Sequence, residues 1–204
     1  ARDLAALSGE TVRTLSAREF TFHNAAVVSR QYEHRRLSVL RALAAEECPL
    51  LVCTVEALLQ RTLPRDLLTR ASTVVRLGES RDLNALTETL AAAGYVRCQQ
   101  VEGVGQFALR GGILDFFSPA LEKPVRVEFF GDEVDAMGLF DPETQRRVEN
   151  ITQAEILPAA EVLPQFAPGG LGGLVNGLDK AISRAKRRKG GEALASTLEE
   201  DRER

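Results

Sequence analysis

The sequence predicts an α/β protein: a partial parallel-sheet domain interrupted by a smaller α+β domain, in which one packed helix lies on a curved antiparallel sheet. Three observations lead there. Short β-rich runs at residues 11–15 and 50–54 alternate with helical periodicity over residues 1–71. A single leucine stripe, Leu83, Leu86 and Leu90, is then followed by at least four strand candidates divided by Gly and Asp turns. From about Ile156 the pattern returns to helix with Pro and Gly punctuation.

Taken in order, residues 11–15 read as a strand, followed by a loop through His23 and Asn24. A long helix comes next. Ser29 offers its cap, and Leu37, Leu40 and Leu43 recur near the helical period with Arg35, Arg36 and Arg41 on flanking faces. His34 is expected on the exposed side of this arginine-rich helix. Residues 50–54, LLVCT, have the apolar continuity of a buried parallel strand, and residues 55–60 read as the following helix. The second region, residues 72–158, holds a strand at 73–77 and a helix at 81–93, capped by Ser80 and ended by Gly94. Strands follow near 99–101, 106–117, 125–130 and 134–140, with turn chemistry at Gly111-Gly112, Gly131-Asp132 and Asp141-Pro142. Residues 159–204, mostly helical, read as the second part of the first domain.

Composition narrows the function. With 204 residues, 44% hydrophobic and 27% charged, the chain buries a sizeable core. A net charge of −3 argues against a chain built as a whole for duplex binding. Cys48, Cys53 and Cys98 are odd in number and lack CxxC spacing, so neither a disulfide framework nor a zinc cluster is indicated and a reducing cytoplasm fits best. No apolar run approaches the roughly 20 residues of a membrane span, and no charged leader precedes an apolar core.

Catalytic signatures are missing. The glycines of residues 169–173 lack the Lys-Ser or Lys-Thr of a phosphate loop, and His23 and His34 have no carboxylate or cysteine at ligand spacing. Asp132, Glu133 and Asp135 read as a solvated hairpin tip rather than a cation site. The basic run at residues 186–189 reads as a helix end. No catalytic residue, cofactor or metal ligand is assigned.

Strand alternation marks a different kind of site. Phe107 and Leu109 face one side, with Gln106, Ala108 and Arg110 on the other; Val125, Val127 and Phe129 face inward, with Arg126, Glu128 and Phe130 outward. If the two strands share a sheet, Arg110, Arg126, Glu128 and Phe130 form a patch of the aromatic-plus-arginine composition enriched at protein interfaces. A salt-bridged solvated face, with Phe130 folded over an edge, is the competing reading.

At these residues the sequence resembles a known family. Residues 94–147, GYVRCQQVEGVGQFALRGGILDFFSPALEKPVRVEFFGDEVDAMGLFDPETQRR, look like the UvrA-interaction domain shared by bacterial transcription-repair coupling factor (Mfd) and the excision-repair helicase UvrB. AREFTFHN at 17–24, SRQYEHRRL at 29–37, VCTVEALLQ at 52–60 and EILPAAEVLP at 155–164 look like the N-terminal module of the coupling factor. The resemblance implies one RecA-like domain, residues 1–71 and 159–204, interrupted by the interaction domain at 72–158. It implies UvrA as partner, with Arg110, Arg126 and Phe130 at the family's contact positions and Glu128 at an acidic position used in UvrB. The chain lacks GxxxxGK[ST] and has two tyrosines, Tyr32 and Tyr95, with no tyrosine-rich hairpin between Gln60 and Ser72, which favours the coupling factor over UvrB. The family's ATP, magnesium, RNA polymerase and double-stranded DNA belong to modules absent here, so the chain reads as a non-enzymatic N-terminal fragment. A DNA-binding module using the arginines of residues 30–41 together with the basic run at residues 186–189 is the weaker alternative. On this reading, alanine at Arg126 or Phe130 abolishes UvrA binding and leaves the melting temperature nearly unchanged.

Overall fold

The first layer begins with two parallel strands. The computed structural model describes residues 1–18, 30–188 and 190–203, which form two compact units, Ala1–Val162 and Leu163–Arg204. In the first unit, helix α1 (Arg2–Ser8) leads into β1 (Val12–Leu15), then α2 (Gln31–Ala44), β2 (Leu50–Cys53), α3 (Val55–Leu59) and α4 (Arg65–Ala71). Strand β2 pairs in parallel with β1, Val12 opposite Leu50 and Leu15 opposite Cys53. Leu15, Val39 and Ala57 form the core between these elements, with Leu51 and Cys53 against it. Thr54 caps α3 by accepting the Ala57 amide at 3.2 Å, as its residue type favours. Helix α4 has no counterpart in the sequence reading. Nor is β2 the fully buried strand expected: it is half-exposed, because β1 is its one paired neighbour among the described residues. His23, Asn24, Ser29 and Lys189 lie outside the described residues.

Next come β3 (Thr73–Arg76), α5 (Leu83–Ala92), β4 (Val96–Arg97), β5 (Gln106–Arg110), β6 (Ile113–Phe116), β7 (Val125–Phe130), β8 (Glu133–Phe140), β9 (Arg147–Asn150) and β10 (Gln153–Ile156). Strands β4 to β9 make one six-stranded sheet in sequence order, antiparallel except for the short parallel β4–β5 pair. Register breaks at Glu128/Phe129 and Leu139/Phe140 are of the kind that bends a sheet. Its inner face, including Phe107, Leu114, Phe116, Val125 and Val127, packs with Leu86 and Leu90 of α5. Strand β3 pairs antiparallel with β10, which the sequence reading missed along with β4 and β9.

Two local expectations need correction. Asp82, not Ser80, caps α5, accepting the Ala85 amide at 2.8 Å; Ser80 instead bridges to Glu133. Residues 99–101 are not a strand, because Val101 is drawn over the sheet's outer face into a second cluster with Ala108, Phe117 and Phe140. The predicted stop at Gly94 has a steric reason as well: its φ is 87°, and a Cβ there would lie 2.8 Å from that of Ala160.

Helix α2 meets the segment after β10 through polar groups. Arg36, 1% exposed, donates from Nε to Glu161 at 2.5 Å and from Nη1 to the Ser16 carbonyl. Glu33 accepts the Glu161 amide at 2.6 Å, and Arg41 pairs with Glu155 at 3.0 Å. His34 is buried rather than exposed, its Nε2 3.1 Å from the Ala159 carbonyl, which can only accept; the proton therefore sits on Nε2. Packing against residues 105 and 159 draws the ring inward, and a Cβ on Gly105 would lie 2.8 Å from it. Burial holds the His34 pKa below its ordinary value, with Arg30 acting in the same direction.

The second unit contains a 3₁₀ turn (Pro164–Phe166), α6 (Gly170–Arg187) and α7 (Glu192–Glu203). Ion pairs Asp179–Arg202 and Lys186–Glu199 run in opposite sequence directions, so the two helices are antiparallel. The glycine cluster has a backbone role: Gly169 and Gly170 have positive φ, and a Cβ on Gly173 would collide with the Pro168 carbonyl. No helix among the described residues is long and apolar enough to cross a membrane.

Two expectations follow. The unfolded chain protonates His34 more readily than the folded one, so stability falls as pH drops through about 6.5; His34→Gln should flatten the melting-temperature profile between about pH 7.5 and 5.5. Glu161→Ala, which leaves the Arg36 charge buried, should cost about 3 kcal/mol or more in denaturant unfolding, and Arg36→Met with Glu161→Leu distinctly less.

Candidate protein-binding surface

The register of β5 to β8 determines which side chains meet on the sheet's outer face. Directly opposed residues point to the same side, so Ala108, Asp115, Arg126 and Gly138 form one row and Arg110, Ile113, Glu128 and Ala136 the next. The bulge places the extra residue on β8, which leaves the alternation of β7 intact, and Phe130, opposite Glu133, follows Glu128 on this face. All four residues named from the sequence thus lie on one side of one sheet.

Their environments differ. Asp115, absent from the sequence reading, is fully buried between the two arginines. Arg126 grips it with a two-pronged fork, Nε to Oδ1 at 2.8 Å and Nη2 to Oδ2 at 2.9 Å. Arg110 Nη2 reaches Oδ2 at 2.5 Å. The Arg126 guanidinium also lies 4.7 Å above the Phe140 ring centroid and donates to the Gln145 carbonyl at 3.3 Å. Its bond to Asp115 raises the Arg126 pKa above the ordinary arginine range, so the cation persists at any working pH. Gln145 is held in turn by bonds from its Nε2 to the Val101 and Pro142 carbonyls. Its φ is 59°, in a turn braced by Asp141, whose carboxylate accepts from Thr144 and Glu143 and is thereby held below its usual pKa.

The open part of the face lies toward Phe130, whose ring is 82% exposed. Glu128 is paired with Arg147, whose side chain crosses Gly138; a Cβ there would lie 3.0 Å from Arg147 Cδ and 2.7 Å from the Glu149 carbonyl. Both partners are about a third to a half exposed, which makes this a weak pair that a docking protein could rearrange. Phe130 is an exposed aromatic among partly exposed charges, an arrangement that gains from a partner.

Asp115 escapes the sequence analysis because the alternation is carried only over residues 106–110 and 125–130 and not past the Gly111-Gly112 turn. Divided at Gly111-Gly112, the same period of two puts Ile113 and Asp115 outward, and an acid inside ILDF opposite an arginine was the available signal.

Comparison with known proteins bears on this sheet. Residues 74–162 match the family described as the UvrB interaction domain, a span that runs from β3 through β10 and includes Arg110, Asp115, Arg126, Glu128 and Phe130. Beyond it, the chain is 29% identical to the transcription-repair-coupling factor of Bacillus subtilis over 97% of its length. Identity is 41% to the factor of Myxococcus xanthus and 36% to that of Escherichia coli, over 56% and 62% of the chain. These matches support an N-terminal UvrB-homology module of such a factor. The chain spans 10 to 17% of the length of these relatives.

The geometry separates the two aromatic-or-arginine positions expected to behave alike. Arg126 is 19% exposed along its side chain and neutralises a buried carboxylate, so it is not the thermally silent anchor expected from alternation. Arg126→Ala should lower stability by roughly 2 kcal/mol, because Asp115 would keep Arg110 alone. Phe130→Ala should move it by less than about 0.5 kcal/mol. Denaturant melts of the two variants read the difference.

Proposed function

We propose that this chain is the UvrA-recruiting module of a transcription-repair coupling factor, presenting to UvrA the surface that UvrB also uses. The observation that carries the reading is the 82% exposed Phe130 on the same sheet face as Arg110 and Glu128, within the residues that match the UvrB interaction domain. A large aromatic that no neighbour covers gains burial only on association. Arg110 on the same face supplies directional, charge-assisted bonds to carboxylates of the partner, and Glu128 fixes register. On this reading residues 72–158 are the UvrA-interaction domain, and residues 1–71 and 159–204 are two parts of one RecA-like domain. The module works in the cytoplasm by recruitment and carries no catalytic step; contacts to RNA polymerase and double-stranded DNA, and ATP-driven translocation, belong to other parts of the full-length factor.

Calorimetric titration with purified UvrA at moderate salt tests this. The parent should bind saturably at micromolar affinity or tighter, and Phe130→Ala should weaken binding roughly thirtyfold, about 2 kcal/mol. A folded parent that does not bind UvrA overturns the reading.

A further inference from the structure

The two arginines around Asp115 have different numbers of hydrogens left for a partner. Arg126 has five N–H groups, and four have acceptors: both Asp115 oxygens, the Gln145 carbonyl and, at 3.5 Å, the Gln145 side-chain oxygen. Arg110 places one on Asp115 and one, at 3.4 Å, on the Gln99 carbonyl, which leaves three. Exposure follows the same division, with side chains 45% exposed for Arg110 and 19% for Arg126. Asp115 itself is 0% exposed, so a partner protein cannot touch it.

We propose that Asp115 is the positioning residue of this docking surface: it locks Arg126 over Phe140 as a clamp and holds Arg110 with its remaining N–H groups toward an acidic group of the partner. The inference rests on the UvrA-recruitment reading and divides the arginines that the sequence treats as equals. Arg126 donates its fork inward, so its contribution to binding passes through Asp115. Arg110 is the arginine that meets the partner. An arginine already tethered through its guanidinium loses less side-chain freedom on docking than one free in water, and that preorganisation is the gain Asp115 supplies. The single carboxylate also offsets one of the two positive charges, which limits their mutual repulsion in a half-buried site.

The test is a double-mutant cycle on UvrA affinity. Asp115→Asn keeps the side-chain shape and one acceptor while removing the charge. It should weaken binding about tenfold in the parent and less than about twofold when Arg110 is already alanine. An equal loss in both backgrounds would show a purely structural role and overturn the proposal, as would an Arg110→Ala variant that binds like the parent. Because Asp115→Asn puts folding at risk, Arg126→Lys is run beside it: this keeps the charge but not the fork, and its effect should likewise shrink in the Arg110→Ala background. Guanidinium nitrogen signals of the free protein read positioning without UvrA; slow rotation at both arginines supports the clamp, and fast averaging at Arg110 excludes it. A folded parent with no UvrA affinity sinks the recruitment reading and this proposal together, whereas a binding parent with a flat cycle sinks this proposal alone.

Discussion

Burial of the sheet's inner face against α5 is the constraint from which the rest follows. Leu86, Leu90, Phe107, Leu114, Phe116, Val125, Val127 and Met137 are all within a few percent of full burial. At about 25 cal/mol per Å² of apolar surface, this layer dominates the stability of the domain. A period of two then leaves no choice for the alternate residues. Arg110, Ile113, Asp115, Arg126, Glu128 and Phe130 are on the outer face because their neighbours are on the inner one.

What becomes of that outer face depends on long-range packing. At one end Val101, Ala108, Phe117 and Phe140 build a second apolar cluster, and its margin makes a dry site where a carboxylate survives only if paired. Asp115 is paired twice. At the other end nothing among the described residues covers Phe130. The same sheet face therefore carries an ordered, hydrogen-bonded patch and an exposed aromatic ring.

The α2 seam repeats this logic. Arg36 and Glu161 are each about 1% exposed along their side chains, far beyond what either charge tolerates alone, and each justifies the burial of the other. His34 is held neutral nearby by burial. These contacts link residues more than a hundred positions apart and join the first strand–helix layer to the segment that follows β10.

By itself the sequence determined the fold class, the face on which each residue of β7 lies and the four side chains that share the outer surface, since those depend on local period and turn chemistry. Gly94, the Gly111-Gly112 turn and the leucine stripe of α5 were legible for the same reason. Tertiary structure alone decided that His34 and Arg36 are buried, that Val101 leaves the strand pattern to cover the sheet, and that β10 pairs with β3. It also decided that Arg126 turns inward to Asp115 while Arg110 keeps donors free. Alternation reports which side of a strand a side chain leaves from; what it meets there is decided by partners distant in sequence, and no local period encodes them.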